Sequence, residues 1–101
     1  MRVIWAPLAE QQVAESFAYI AAEHPVAAVR WFDSLEDKTG SLATFPDQGR
    51  VVPEVQRADV REVLVHPYRV IYRRGATEVV VLSVQHDHRE LDVSGIEGQE
   101  V

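Results

Sequence analysis

Two stripes of apolar residues at helical spacing occupy the first half of the chain. In the first stripe the apolar positions recur at steps of four, four and three residues: Ala9, Val13, Phe17 and Ile20. In the second they recur every seven residues: Ala28, Leu35 and Leu42. Such spacing is typical of helices with one buried face. Pro7 and Pro25 each suit the first turn of a helix. We therefore predict two helices joined by a short turn and packed antiparallel.

The second half of the chain has the short apolar runs that are typical of β-strands. Three runs lie at roughly 60–66, 68–74 and 77–86, and a fourth lies near the N-terminus, from Arg2 to Trp5. His66-Pro67 marks a tight corner between two of them, and Gly75 a hairpin turn, because glycine accepts a positive φ. A polar loop is predicted over 49–59.

This order of elements, β-α-α-β-β-β, predicts an α+β fold in which a helical hairpin packs on a mostly antiparallel four-stranded sheet. A chain of 101 residues is long enough for one domain with a single core. We place that domain at 1–92. Residues 93–101 lack a pattern and carry Glu97 and Glu100, so we expect a flexible acidic tail there.

The most informative stretch runs from Arg61 to Arg74. Because side chains alternate along a strand, Tyr68, Val70 and Tyr72 should share one face, with Arg69, Ile71 and Arg73 on the other. If the helices cover the first face, the face with the arginines is left for function. Arg61 and Glu62 should point to opposite faces, and Glu62 is expected to pair across strands.

Composition narrows the possible partners and the compartment. The formal net charge is −6, which argues against a strongly basic nucleic-acid-binding protein. Nine of the ten basic residues are arginines, which suit planar contacts to phosphate or carboxylate, although they could equally balance acidic neighbours on a solvated sheet. Cysteine is absent, and we find neither a secretory signal nor a run of ~20 apolar residues for a membrane helix. We expect a cytoplasmic protein without membrane association.

Over residues 2–92 the chain resembles toxins of the RelE/ParE family of bacterial type II toxin–antitoxin systems. The resemblance is carried by an ordered series of short segments. They are Trp5-Ala6-Pro7-Leu8-Ala9, Tyr19-Ile20-Ala21, Phe45-Pro46, Gly49-Arg50, Pro53-Glu54, Arg61-Glu62, Tyr68-Arg69-Val70-Ile71-Tyr72-Arg73 and Val84-x-His86-x-x-Arg89. The resemblance implies the fold predicted above.

The resemblance also implies partners. RelE-type members cut mRNA on the ribosome, whereas ParE-type members poison DNA gyrase without nuclease chemistry. Both types are neutralised by a small antitoxin protein, through which the pair binds operator DNA. We expect the antitoxin to bind as an extended, helix-containing segment along the hairpin and the sheet edge, with basic residues against the acidic helices.

Two site hypotheses follow from the resemblance. A RelE- or YoeB-like endoribonuclease would use a catalytic set of Glu54, Arg61, Arg69 and His86, without a metal or another cofactor. A ParE-like toxin would use Arg61, Tyr68, Arg69, Arg73 and Arg89 as contacts to its target. No tyrosine follows Tyr72, and nuclease members typically carry an aromatic residue near the C-terminus, so we favour the ParE-like hypothesis.

Structural roles remain open for the same residues. Tyr68 and Tyr72 fit half-buried sheet positions, and His86, which follows an apolar strand, fits a hydrogen-bonded structural histidine. His86, Asp87, His88 and Glu90 do not have an established metal-ligand spacing, so we predict no metal site. A non-toxic protein that only forms a repressor complex with its partner is also possible.

Overall fold

The computed structural model describes residues 1–97. A strand, β1 (Arg2–Trp5), leads into two helices, α1 (Pro7–Ala21) and α2 (Pro25–Ser41), and each helix begins at a proline as predicted. Four further strands and a helical turn follow: β2 (Arg50–Val51), β3 (Val60–Val65), β4 (Tyr68–Arg74), β5 (Glu78–His86) and α3 (Ser94–Glu97). Within residues 1–97, no helix is both long and apolar enough to cross a membrane.

The strands form one sheet in the order β1-β5-β4-β3-β2. β1 pairs with β5 in parallel and the other pairs are antiparallel, so the predicted α+β fold is confirmed. The sheet has five strands instead of four, because Arg50 and Val51 pair with Glu62 and Arg61 at the start of the predicted polar loop. A two-residue strand is too short to produce an alternating pattern in the sequence.

The hairpin of α1 and α2 covers one face of the sheet, which we call the helix face. Its core contains aliphatic and aromatic residues from both helices and from three strands, among them Leu35, Val63, Val70, Tyr72 and Val81. As the alternation predicts, Tyr68, Val70 and Tyr72 all belong to this core. The ring of Trp31 lies beside that of Tyr68, with centroids 5.0 Å apart.

The opposite face, which we call the second face, carries Arg69 and Arg73 as the alternation predicts, and part of it is covered. It carries a smaller core of Ala6, Val52, Val60, Ile71, Val80, Leu82, Leu91 and Ile96. Burial of apolar side chains such as Ile71 and Val80 stabilises the fold, and the loop after β2 and the chain after β5 shield them from water. Within the expected tail, Ser94–Glu97 form α3 and Ile96 is 3% exposed, while residues 98–101 lie outside the described part of the chain.

Candidate functional site

The centre of the second face is a network of two arginines and two carboxylates. Arg69 of β4 donates from Nη1 and Nη2 to the two carboxylate oxygens of Glu54, at 2.8 and 2.9 Å. Its Nε donates to Glu62 of β3 at 2.6 Å, and Arg50 of β2 donates to the other Glu62 oxygen at 2.5 Å. Glu62 therefore pairs across strands on both sides, as expected.

Burial makes Glu62 and Arg69 the structural centre of this network. The side chains of Glu62 and Arg69 are 6% and 12% exposed, whereas those of Glu54 and Arg50 are 40% and 68% exposed. A buried carboxylate is tolerated where cations and hydrogen bonds replace its water shell, and Glu62 has two guanidinium partners. The charge of Arg69 is therefore satisfied within the protein, so Arg69 offers little to a partner.

The Glu54 carboxylate is stabilised chiefly by its hydrogen bonds from Arg69, which lower its pKa from 4.5 to about 2. Because this pKa lies below that of an unfolded chain, the pair stabilises the fold fully above about pH 4.5, and the contribution is lost as the pH falls towards about 2. We expect the Glu54→Gln variant to lose this pH dependence of the free energy of unfolding. The contribution is less than ~1 kcal/mol because the Glu54 side chain is so exposed. The free energy of unfolding is measured for the wild type and the variant at about pH 6 and about pH 3. An equal pH dependence in the two proteins would contradict the assignment of this stabilisation to the Glu54–Arg69 pair.

Arg61 lies on the helix face, away from Arg69. Its guanidinium donates to the carbonyl oxygens of Gly49 and Ala58, at 2.9 and 3.1 Å. The Tyr72 hydroxyl accepts from the Gly49 N–H at 3.0 Å and donates to the Pro46 carbonyl at 2.7 Å. A Cβ at Gly49 would meet the Glu62 carbonyl oxygen at 2.5 Å, so only glycine fits this close approach. Arg61 and Tyr72 together hold the loop before β2 against the sheet.

His86 also lies on the helix side, opposite Tyr68 in the β4–β5 register. The centroid of the His86 ring is 5.2 Å from that of Tyr68 and 5.2 Å from that of His88. Tyr68 is 5% exposed, so its ring is a packing residue and does not reach the surface for a target. Within residues 1–97, no three histidine or acidic residues are grouped closely enough to hold a metal ion.

The hypothetical catalytic set is therefore divided between the two faces of the sheet. Glu54 and Arg69 meet on the second face, while Arg61 and His86 lie on the helix side at different ends of the strands. Arg73 is half-buried on the second face, and Arg89 is exposed just beyond β5. Neither Arg73 nor Arg89 forms an ion pair in the part of the chain that the structure describes. These two arginines remain available to a target.

Two residues of the network were not among the predicted site residues, Arg50 and Glu62. Glu62 could have been found from its position, because it shares one face of β3 with the apolar Val60 and Leu64, where a lone carboxylate needs a cation. The sequence gives no comparable signal for Arg50, because Arg50 lies in the segment predicted as a polar loop, which has no apolar periodicity.

A groove runs along β1, α1 and α2 on the helix side. It is a cavity of about 380 Å³ lined by apolar side chains, among them Trp5, Val13 and Phe32. Glu10 and Glu36 also line it. The groove thus combines an apolar floor with an acidic rim.

The comparisons with known proteins identify relatives of this arrangement. The family model described as "ParE toxin of type II toxin-antitoxin system, parDE" matches residues 3–91. A solved structure described as the chromosomal ParDE TA system from P. aeruginosa is similar in fold, with a TM-score of 0.71 and 17% sequence identity. That similarity covers 85% of this chain and 95% of the other. No match is found among curated proteins.

Proposed function

The chain belongs to the ParE toxin family of type II toxin–antitoxin systems, and from this we propose that it binds DNA gyrase and stalls the enzyme with cleaved DNA. The observation that supports this proposal is the division of Glu54, Arg61, Arg69 and His86 between two faces of the sheet. The protein then acts by contact and is not itself an enzyme. Its place of action is the bacterial cytoplasm, where gyrase works.

The alternative, a ribosome-dependent endoribonuclease, requires a base, an acid and cations that meet around one phosphate. Here Arg69 is already occupied by two carboxylates, and His86 is on the far side of the sheet from it. No observation on the second face favours RNA cleavage over contact. We therefore assign target contact to two cations without an ion pair among residues 1–97, the half-buried Arg73 and the exposed Arg89.

The antitoxin partner implied by the family would occupy the groove along β1, α1 and α2. Its apolar floor, with Trp5, Val13 and Phe32, suits the apolar stripe of a helix laid into it. The acidic rim favours basic residues in the antitoxin, in keeping with the acidic helices. Operator DNA would be bound through the antitoxin.

This groove gives a prediction for the antitoxin. The double substitution Glu10→Lys/Glu36→Lys is expected to weaken antitoxin binding about tenfold or more, because it opposes like charges across the rim. Calorimetric titration of the antitoxin into the variant measures the change. Glu90→Lys, an exposed reversal after β5, is the control, and an equal loss in both proteins would contradict the groove as the binding site.

The proposed function is tested by supercoiling of relaxed plasmid by purified gyrase. We expect the protein to inhibit supercoiling and the antitoxin to restore it. A parallel assay with programmed ribosomes tests the alternative, since a RelE-like nuclease would cut the mRNA between codon positions. Ribosome-dependent cutting with unaffected gyrase would overturn the proposal.

A further inference from the structure

The charges of α2 are divided between two cavities. The helix contains two basic residues, Arg30 and Lys38, and three acidic residues, Asp33, Glu36 and Asp37. Both basic residues line a cavity of about 520 Å³ between α2 and β3, and none of the three carboxylates does. Glu36 lines the groove along β1 instead. The cavity between α2 and β3, which we call the basic cavity, is thus distinct in charge from the groove.

Hydrogen-bond donors form a row along the basic cavity. Arg30, Ser34 and Lys38 recur every four residues and therefore lie along one side of α2. At a rise of about 1.5 Å per residue, the row is about 12 Å long. His66 lines the same cavity from the end of β3. Donors spread over this length suit a chain of anionic groups better than a single one.

The cations of the basic cavity are not neutralised within the protein. Arg30 and Lys38 are both exposed, and neither forms an ion pair with any residue from 1 to 97. Arg69, by contrast, is paired with two carboxylates. Two cations without a counter-charge attract an anion more strongly in a cavity, which is partly shielded from water, than on an open surface. The basic cavity therefore favours an anionic ligand.

The floor of the basic cavity is apolar. Trp31, Leu64 and Val65 line it, and Leu64 is 58% exposed. The indole N–H of Trp31 is satisfied by the Val65 carbonyl at 3.4 Å, so the floor does not require a polar ligand. The cavity volume falls within the range of about 300–1,000 Å³ that is usual for small-molecule sites. An apolar floor beside a row of cations suits a flat ring system that carries a chain of anionic groups.

We propose that the basic cavity binds a nucleoside polyphosphate, with its phosphates along Arg30, Ser34 and Lys38 and its base against Leu64. A nucleic-acid strand carries the same phosphate chemistry, but a long polyanion is repelled by a protein of net charge −6, whereas a nucleotide meets only the cavity. This site is independent of the proposed gyrase contact, because neither Arg73 nor Arg89 lines it.

The test compares ATP with adenosine, which has the same base and sugar but no phosphate. Each is titrated into the isotope-labelled protein to about 1 mM, in a buffer of about 0.05 M salt without phosphate or divalent cations, because salt screens exposed charges. We expect ATP to shift the amide resonances of residues 30–38 and 64–66, and adenosine to leave them unchanged. Inorganic tripolyphosphate, which lacks the base, should bind more weakly than ATP.

Charge reversal tests the row of cations. The double variant Arg30→Glu/Lys38→Glu should weaken ATP binding at least about tenfold. The matched control is Arg2→Glu/Arg57→Glu, which changes the net charge by the same amount at two exposed arginines outside the cavity. The control should bind ATP within about twofold of the wild type, because distant charges are screened. Lys38→Arg, which keeps the charge, should retain binding, and circular dichroism verifies the fold of each variant.

Leu64→Ser tests the contact with the base. This variant should weaken ATP binding about threefold or more and leave tripolyphosphate binding unchanged, because only ATP loses an apolar contact. The proposal is overturned if ATP shifts none of residues 30–38 and 64–66, if adenosine binds as tightly as ATP, or if the control double variant loses as much binding as Arg30→Glu/Lys38→Glu. A short single strand of DNA that binds more tightly than ATP, and loses that binding in Arg30→Glu/Lys38→Glu, would also overturn it in favour of a nucleic-acid site.

Discussion

Glu62→Ala is expected to lower the free energy of unfolding by about 3 kcal/mol. The Glu62 carboxylate is 6% exposed and accepts from Arg50 and Arg69 at once. Removing it leaves the largely buried Arg69 with one carboxylate in place of two. Arg50, already mostly exposed, turns to water at little cost.

The matched control is Glu54→Ala, which removes the other partner of Arg69. Its expected loss is below about 1 kcal/mol, because the Glu54 side chain is 40% exposed and water can replace it. Urea denaturation followed by circular dichroism measures both variants. If Glu54→Ala cost as much as Glu62→Ala, the network would be centred on the surface pair and not on Glu62.

His86→Gln is expected to leave gyrase inhibition within about twofold of the wild type, because a packing side chain makes no target contact. In a ribonuclease, loss of the general acid would reduce cleavage by about 10²–10⁴. Arg73→Glu, by contrast, should weaken inhibition about tenfold or more, since it reverses an unpaired cation on the proposed contact surface.

Two controls accompany these variants. Arg2→Glu makes the same charge reversal at the β1 edge, where Arg2 is 77% exposed and pairs with Glu78. Thermal unfolding of all three variants separates loss of function from loss of fold. If His86→Gln lost activity at unchanged stability while Arg73→Glu retained it, the assignment of contact over catalysis would be wrong.

Much of this architecture follows from periodicity alone. The steps from Ala9 to Ile20 predict the buried face of α1, and the alternation from Tyr68 to Arg73 correctly divides β4 between the two faces. The same alternation along β3 separates Glu62 from Val63 and Val65, which places Arg61 on the helix face. The division of the proposed catalytic set could thus have been partly predicted.

Contacts made by irregular segments were not predictable in this way. Glu54 reaches Arg69 because of the turn after β2, and no period in the sequence encodes that turn. The second core depends on Val52, Leu91 and Ile96, which lie outside the periodic apolar runs of the sequence. Their burial is decided by the apolar row of Val60, Ile71 and Val80 beneath them, which is a property of the folded sheet.

The most direct test of contact without catalysis is the amount of plasmid that gyrase leaves cleaved when the purified protein is present. We predict that linear DNA accumulates with the wild type and to the same extent with His86→Gln, and that prior addition of the antitoxin prevents it. No increase in cleaved plasmid at a concentration of the protein that inhibits supercoiling would contradict the account.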